Sequence, residues 1–371
     1  MLLTFLSEEI GGDIWTYCIT GVLEYLGMQF YLGMLLISFV VSMVGFVPFI
    51  GLLYRLKFTR KKETDEVRKD ATAAFHQVRQ MHAWKAGVPT GGGILVALVV
   101  IILFAIASEK FTLDRGLIWG YPPGWELAAI FVTFAGFAAL GFYDDLIKIL
   151  GFGRSGFFGL RMRHKFLLQW VVGLTAAAIL YWGLKIDFVY IPFFGIWRLG
   201  LAYLPLAAFL IVGFANAFDI TDGLDGLSGG LLLICLMAFW VIALAGLDQV
   251  LATFIAVWIG ALAAFLYFNI YPARIMLGNM GGLAFGATLA VVGLLSGRMI
   301  AMLIIGGVFI AEGVSSMLQL YSKRFMKKRI FLIAPLHHWL QLLGWEEPKI
   351  VARAWLTGIV LAVFGVWLAS L

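Results

Sequence analysis

Ten apolar stretches recur along the chain, most of them near the roughly 20 residues that a helix needs to cross a bilayer, and they leave few folds open to it. The clearest run from Tyr31 to Leu53, Gly91 to Ala107, Leu127 to Tyr143, Phe166 to Leu184 and Leu201 to Ala217. Five more follow, at Leu227 to Leu244, Val250 to Phe268, Gly281 to Leu295, Ile300 to Leu320 and Ala354 to Leu371. A membrane β-barrel is excluded, because its strands alternate apolar and polar over about ten residues instead of running continuously apolar. Composition agrees: 62% of the 371 residues are hydrophobic and only 13% charged, outside the balance of a soluble domain. The expected fold is all-α: a polytopic membrane protein of ten transmembrane helices forming one domain over residues 1–371. No internal repeat, low-complexity linker or separate soluble domain interrupts it.

The basic residues orient the bundle. If ten spans alternate sides, the segments 54–90, 143–165, 217–226, 269–280 and 321–353 share one face and hold 22 of the 27 Lys and Arg. The positive-inside rule makes that face cytoplasmic and puts both termini outside. This bias accounts for most of the net charge of +6, so no nucleic-acid partner is implied. The residues before Tyr31 carry Glu8, Glu9, Asp13 and Glu24 but no Lys or Arg, so they lack the basic start of a cleavable signal peptide. Two cysteines, Cys18 and Cys235, indicate neither a disulfide framework nor a zinc site.

The unusual polar residues fall on the expected cytoplasmic side. "GFYDDLIKI" places Asp144 and Asp145 at the end of the third span, and "NAFDITDGLDGL" places Asp219, Asp222 and Asp225 between the fifth and sixth. One Asp in such a place reads as a helix cap; five on one face of a greasy protein point to a cation. Hard oxygen donors with few His or Cys favour Mg²⁺, which takes one or two carboxylates together with substrate phosphates. "KAGVPTGGG" offers the Lys85 ammonium, the Thr90 hydroxyl and a close-approach backbone to a phosphate, although glycines near membrane helices also serve packing. His337 and His338, in "IAPLHHWLQLLGW", suit proton transfer or phosphate contact; headgroup-level placement is the plainer alternative. Glu312, inside the ninth span, is either a functional carboxylate or a buried structural partner.

Taken together, "KAGVPTGGG", "GFYDDLIKI", "NAFDITDGLDGL", "FNIYPARIMLGNMGGLAFG", "GGVFIAEGVSSMLQL" and "RIFLIAPLHHWLQLLGWEEPKIVARAW" resemble, in order, the blocks of the phospho-N-acetylmuramoyl-pentapeptide transferase family, a branch of the polyprenyl-phosphate N-acetylhexosamine-1-phosphate transferases. The resemblance covers about Lys85 to Trp355. It implies a Mg²⁺-dependent enzyme of the bacterial cytoplasmic (inner) membrane, with its active site on the cytoplasmic face. Such an enzyme transfers phospho-MurNAc-pentapeptide from UDP-MurNAc-pentapeptide to the membrane lipid undecaprenyl phosphate, giving lipid I and UMP in peptidoglycan synthesis. It also leaves room for a homodimer. Carried over by position, Asp144 is the candidate base for the lipid phosphate, with Asp145 beside it. Asp222 and Asp225 are expected near the nucleoside diphosphate, Asp222 with a catalytic part. Lys85, Thr90 and Asn216 match nucleotide-side positions, Gln319 a position near the peptide, and His337 and His338 the start of the histidine motif, with His337 catalytic. Asp144, Asp145, Asp219 and Asn279 are the expected metal set.

Three departures stand out. The family's "GDVGS" or "GDTGS" block, whose Asp is a metal ligand, reads "GNMGG", so Asn279 stands where a carboxylate is expected. Asp219 stands where the "NLTDGLDGL" pattern has Asn, and the third histidine of the usual run is Trp339. Either the carboxylate has moved to Asp219 or the chain binds metal poorly. Competing readings are a sister transferase of GlcNAc-1-phosphate, a silent homologue, and a cation-coupled transporter, which would carry its carboxylates near the midplane of repeated halves.

Overall fold

In bilayer hydrocarbon every backbone N–H and C=O must be paired within its own segment, so apolar runs of this length resolve into helices. The computed structural model describes residues 13–60, 73–113, 121–150 and 162–371. Among them the helices are α1 (Asp13–Arg55), α2 (Ala73–Met81), α3 (Gly92–Leu113), α4 (Pro123–Leu150), α5 (Met162–Ala178), α6 (Tyr203–Thr221), α7 (Leu227–Ala245), α8 (Gln249–Asn269), α9 (Gly278–Leu295), α10 (Met299–Ile305), α11 (Gly307–Tyr321), α12 (Leu336–Leu342) and α13 (Glu347–Ser370). Nine are long and apolar enough to cross a membrane among the described residues, or ten if α10 and the helix after it count as one broken span.

That break is where the sequence pattern misled. Ile300 to Leu320 reads as one straight span, yet the chain bends by 76° between Ile305 and Gly307. The Gly306-Gly307 pair lets it: Gly306 leaves helical geometry at φ −83°, ψ 12°, as glycine pairs often do at kinks. A second difference lies between α5 and α6, where β1 (Phe188–Ile191) pairs antiparallel with β2 (Gly195–Arg198) in a short hairpin. Four-residue strands are too short for their periodicity to stand out against the flanking spans.

The core is built around α8 and α9, both buried over most of their length. Phe134 of α4, Trp258 of α8 and Phe285 of α9 meet with ring centroids 5.5 to 5.9 Å apart. Ser38 of α1 donates to the Val257 carbonyl at 2.7 Å, a bond that holds α1 against α8. Helices in lipid associate through close packing of small residues, and α9 is approached at its first turn by two glycines. A Cβ on Gly93 of α3 would lie 2.5 Å from the Gly281 Cα, and one on Gly141 of α4 would lie 2.5 Å from the Met280 Cα. These contacts bring the ends of α3 and α4, with the acids just beyond Gly141, to the start of α9.

Gly141→Val should therefore force two backbones apart, costing about 1–3 kcal/mol. Its thermal midpoint in detergent should fall by several degrees, whereas Gly124→Ala, with open space around it, should leave the midpoint unchanged.

Candidate active site

The chemistry-bearing side chains collect at one end of the bundle in two charge networks. The deeper one is centred on Lys85, which the short 3₁₀ turn Ala83–Lys85 delivers to the interior with no exposed surface. Its Nζ lies 2.7 Å from Asp225 Oδ1 and 2.5 Å from Glu347 Oε1. Asp225 is held further: its N–H donates to Glu347 Oε1 at 2.6 Å, and its Oδ2 accepts from the Ala273 N–H at 2.9 Å. A buried charge is tolerable only when so matched. Lys85 thus ties the loop after α6 to the first residue of α13. The expected phosphate cradle of "KAGVPTGGG" does not form in this arrangement. The N–H groups of Thr90, Gly91, Gly92 and Gly93 donate to the carbonyls of Phe58, Met276, Met276 and Leu277, and the Lys85 ammonium is spent on carboxylates. Thr90 is half-buried at the edge of this pairing.

The second network is more open. Lys165, at the start of α5, places Nζ 3.3 Å from Asp144 Oδ2 and 3.4 Å from Asp219 Oδ2, with Asp219 27% exposed. Lys148, one turn after Asp144, lies 3.0 Å from the same oxygen. Three helices therefore converge on one ammonium. Asp145 turns the other way, to α9: Asn279 Nδ2 donates to its Oδ1 at 2.7 Å and the Met280 N–H to its Oδ2 at 3.1 Å. Asp219 also touches α9, since a Cβ at Gly282 would lie 2.6 Å from its Oδ1. The departures Asp219 and Asn279 thus meet the same turn of α9, and the missing side chain at Gly282, the last glycine of "GNMGG", is the room that the Asp219 carboxylate occupies. Among the described residues, no three His, Cys, Asp or Glu side chains converge as a complete metal cage.

Asp222 caps α6 and accepts the Ser228 hydroxyl at 2.5 Å. Burial pushes its carboxyl up to about 6, with nearby Asp219 adding to the rise against the Ser228 hydrogen bond. Asn216 is engaged by α5: its Nδ2 donates to Gln169 Oε1 at 2.8 Å and to the Val212 carbonyl at 2.7 Å. Gln319 grips the loop beyond α11, donating to the Phe331 carbonyl at 2.8 Å and accepting the Phe331 N–H at 3.0 Å. The Glu312 carboxylate accepts the His337 backbone N–H at 3.1 Å, so it anchors the first turn of α12. His337 Nδ1 stands 3.2 Å from the same carboxylate but out of line for a hydrogen bond, and both ring nitrogens are buried without a hydrogen-bond partner. The ring lies against Gly223, where a Cβ would collide with Nε2. His338 bonds Gln341, which reaches His82.

Lys165, Glu347, His82 and Gln341 did not stand out in the sequence. Only Lys148 carried a local signal, the i, i+4 spacing from Asp144; the others come from segments far apart in the chain.

The "Glycosyl transferase family 4" family model matches residues 127–297. The chain is 38% identical over 303 residues to the phospho-N-acetylmuramoyl-pentapeptide-transferase of Chloroflexus aurantiacus, covering 78% of this chain and 79% of that protein. The proteins of the same name from Thermodesulfovibrio yellowstonii and Bacillus subtilis are 32% and 33% identical, over 98% and 92% of this chain and 96% and 98% of their own.

The raised Asp222 value carries a sign. The folded protein holds this proton more tightly than the unfolded chain, and the stability so gained, full below the ordinary value of 3.8, is lost as pH rises through about 6. Asp222→Asn should therefore melt higher than the parent at pH 7, with the difference vanishing near pH 4 in thermal unfolding series.

Proposed function

The chain belongs to the phospho-N-acetylmuramoyl-pentapeptide-transferase family, and from that premise we propose that it moves phospho-MurNAc-pentapeptide from UDP-MurNAc-pentapeptide to undecaprenyl phosphate. The products are lipid I and UMP, and the reaction is the lipid-linked step of peptidoglycan synthesis. The observation that carries this reading is the convergence of Asp144 and Asp219, from two helices, on one partly buried cation at one end of the bundle. The basic face that contains this site lies toward the cytoplasm of a bacterial inner membrane, by the positive-inside rule.

The reaction joins two anions, a nucleoside diphosphate from water and a phosphate on a buried lipid. Their repulsion is the first barrier, and phosphoryl transfer is catalysed mainly by positioning and charge neutralisation. Lys165 and Lys148 hold fixed positive charge at the mouth of the site. The donor chemistry there also fits Mg²⁺: Asp144 and Asp219 are hard oxygen donors that already share a cation, and two carboxylates plus substrate phosphates suffice for this ion. Bound there, Mg²⁺ would polarise the phosphoryl group and neutralise the leaving UMP. Asp144, fixed between two ammoniums, orients and deprotonates the lipid phosphate. Asp145 and Asn279 lock α4 to α9 and so keep Asp144 in place. Asp222 and Thr90 border the nucleotide side, and Lys85 holds the loop that carries Asp222 and Asp225. His337, buried with no hydrogen bond on its ring, lies against Gly223 and braces the turn that follows Asp222.

The test is UMP release by the purified chain given Mg²⁺, UDP-MurNAc-pentapeptide and a polyprenyl phosphate. Asp144→Asn should lower turnover at least about 10²-fold while the thermal midpoint stays near the parent's. Near-parental turnover would remove Asp144 from the mechanism, and uptake without UMP release would point to a transporter.

The geometry also predicts the outcome of reversing the exchanged residues. Asn279→Asp sets a carboxylate against Asp145 where an amide donor stood, so alone it should leave turnover unchanged or lower it. Asp219→Asn alone should lower it about tenfold or more. Turnover of the double variant should exceed the sum of the two single effects in a double-mutant cycle; strict additivity would show that the two positions act independently.

A further inference from the structure

Three imidazoles stand in a row beside the Lys85 network. The centroids of His82 and His338 are 5.3 Å apart, and those of His338 and His337 4.2 Å apart. Between the first two lies Gln341, buried, with Nε2 2.9 Å from His82 Nε2 and Oε1 3.0 Å from His338 Nδ1. A carboxamide has one donating end and one accepting end, whereas a neutral imidazole carries one proton on either of two nitrogens. In this orientation the amide donates to His82 Nε2, which must be bare, and accepts from His338 Nδ1, which must carry its proton. Reversing the amide would require both rings to change tautomer together.

We propose that Gln341 is a positioning residue that couples the tautomers of His82 and His338 and so presents His338 with its lone pair on Nε2. The coupling needs both rings neutral, and their surroundings keep them so. His82 faces Lys85 and Arg60 as well as His337, and burial with these cations lowers it to about 4. His338 faces His337, His82 and Lys85, and burial with them lowers it to about 3. The nearby carboxylates are taken: Asp225 and Glu347 are matched by Lys85, and Glu312 caps the His337 N–H. With its Nε2 bare, His338 is an acceptor for a substrate hydroxyl or a protonated phosphate oxygen at neutral pH, which extends the transferase reading given above and rests on it.

The experiment is ¹⁵N NMR of histidine-labelled protein in detergent, joined to UMP-release kinetics. In the parent, the His338 shifts should report a protonated Nδ1 and a bare Nε2, and His82 likewise a bare Nε2. Gln341→Glu offers acceptors to both rings, so His82 should move its proton to Nε2 and the His338 pKa should rise by at least one unit. Gln341→Met should leave both rings as tautomer mixtures. Both variants should lower kcat at least tenfold with the KM for UDP-MurNAc-pentapeptide within threefold. A parent His338 protonated on Nε2 would overturn the proposal, as would His82 and His338 shifts in Gln341→Met identical to the parent's. The parent spectrum decides even if a variant fails to fold. Tautomers as stated in a parent that releases no UMP would uphold the coupling and defeat the transferase reading; UMP release with the opposite tautomers would do the reverse.

Discussion

The site depends on how closely other helices reach the first turn of α9. A helix in lipid keeps its backbone bonds to itself and cannot bend freely to gather catalytic groups; its functional residues must arrive by the approach of whole helices. Gly93 and Gly141 permit that approach with no side chain in between, and the absence of a side chain at 282 admits the Asp219 carboxylate. Remove that intimacy, and Asp145 loses Asn279 and Met280 while Asp144 and Asp219 no longer share Lys165.

The two charge networks serve different ends because their solvation differs. Lys85, Asp225 and Glu347 are buried and matched in charge to one another, the condition under which buried ions are tolerated and fix a geometry. Lys165 is 19% exposed and its bonds to Asp144 and Asp219 are long, at 3.3 and 3.4 Å. Such contacts are weaker than the 2.5 and 2.7 Å pairs around Lys85. One network is the floor that holds the loop after α6, and the other is the surface to which the proposed reaction is assigned.

Much of the fold was legible in the chain. Hydrophobic runs located the spans because lipid demands apolar length. Legibility failed at Gly306, where a glycine pair turned one apparent span into two helices, and at the hairpin after α5. Within the site, the aspartates were visible because carboxylates are rare in such a composition. Lys165 was hidden among ordinary topology-setting basic residues, and Gln341 among neutral ones, since nothing local marks the distant partners, Asp219 for the one and His82 for the other, that give them their place.

The sequence by itself determined the membrane class, the helical architecture and the acidic blocks, because each is written in composition or short spacing, while the exchange of Asn and Asp between two blocks shows only against the family's pattern. Only the tertiary structure decided what those residues do to one another. It spent Lys85 and the glycine-rich amides on internal partners, turned Asn279 toward Asp145, and made Asp219 and the glycine at 282 two halves of one contact. Helix packing sets these pairings, and packing depends on side-chain volume at contacts between segments far apart in the chain, which no local pattern records.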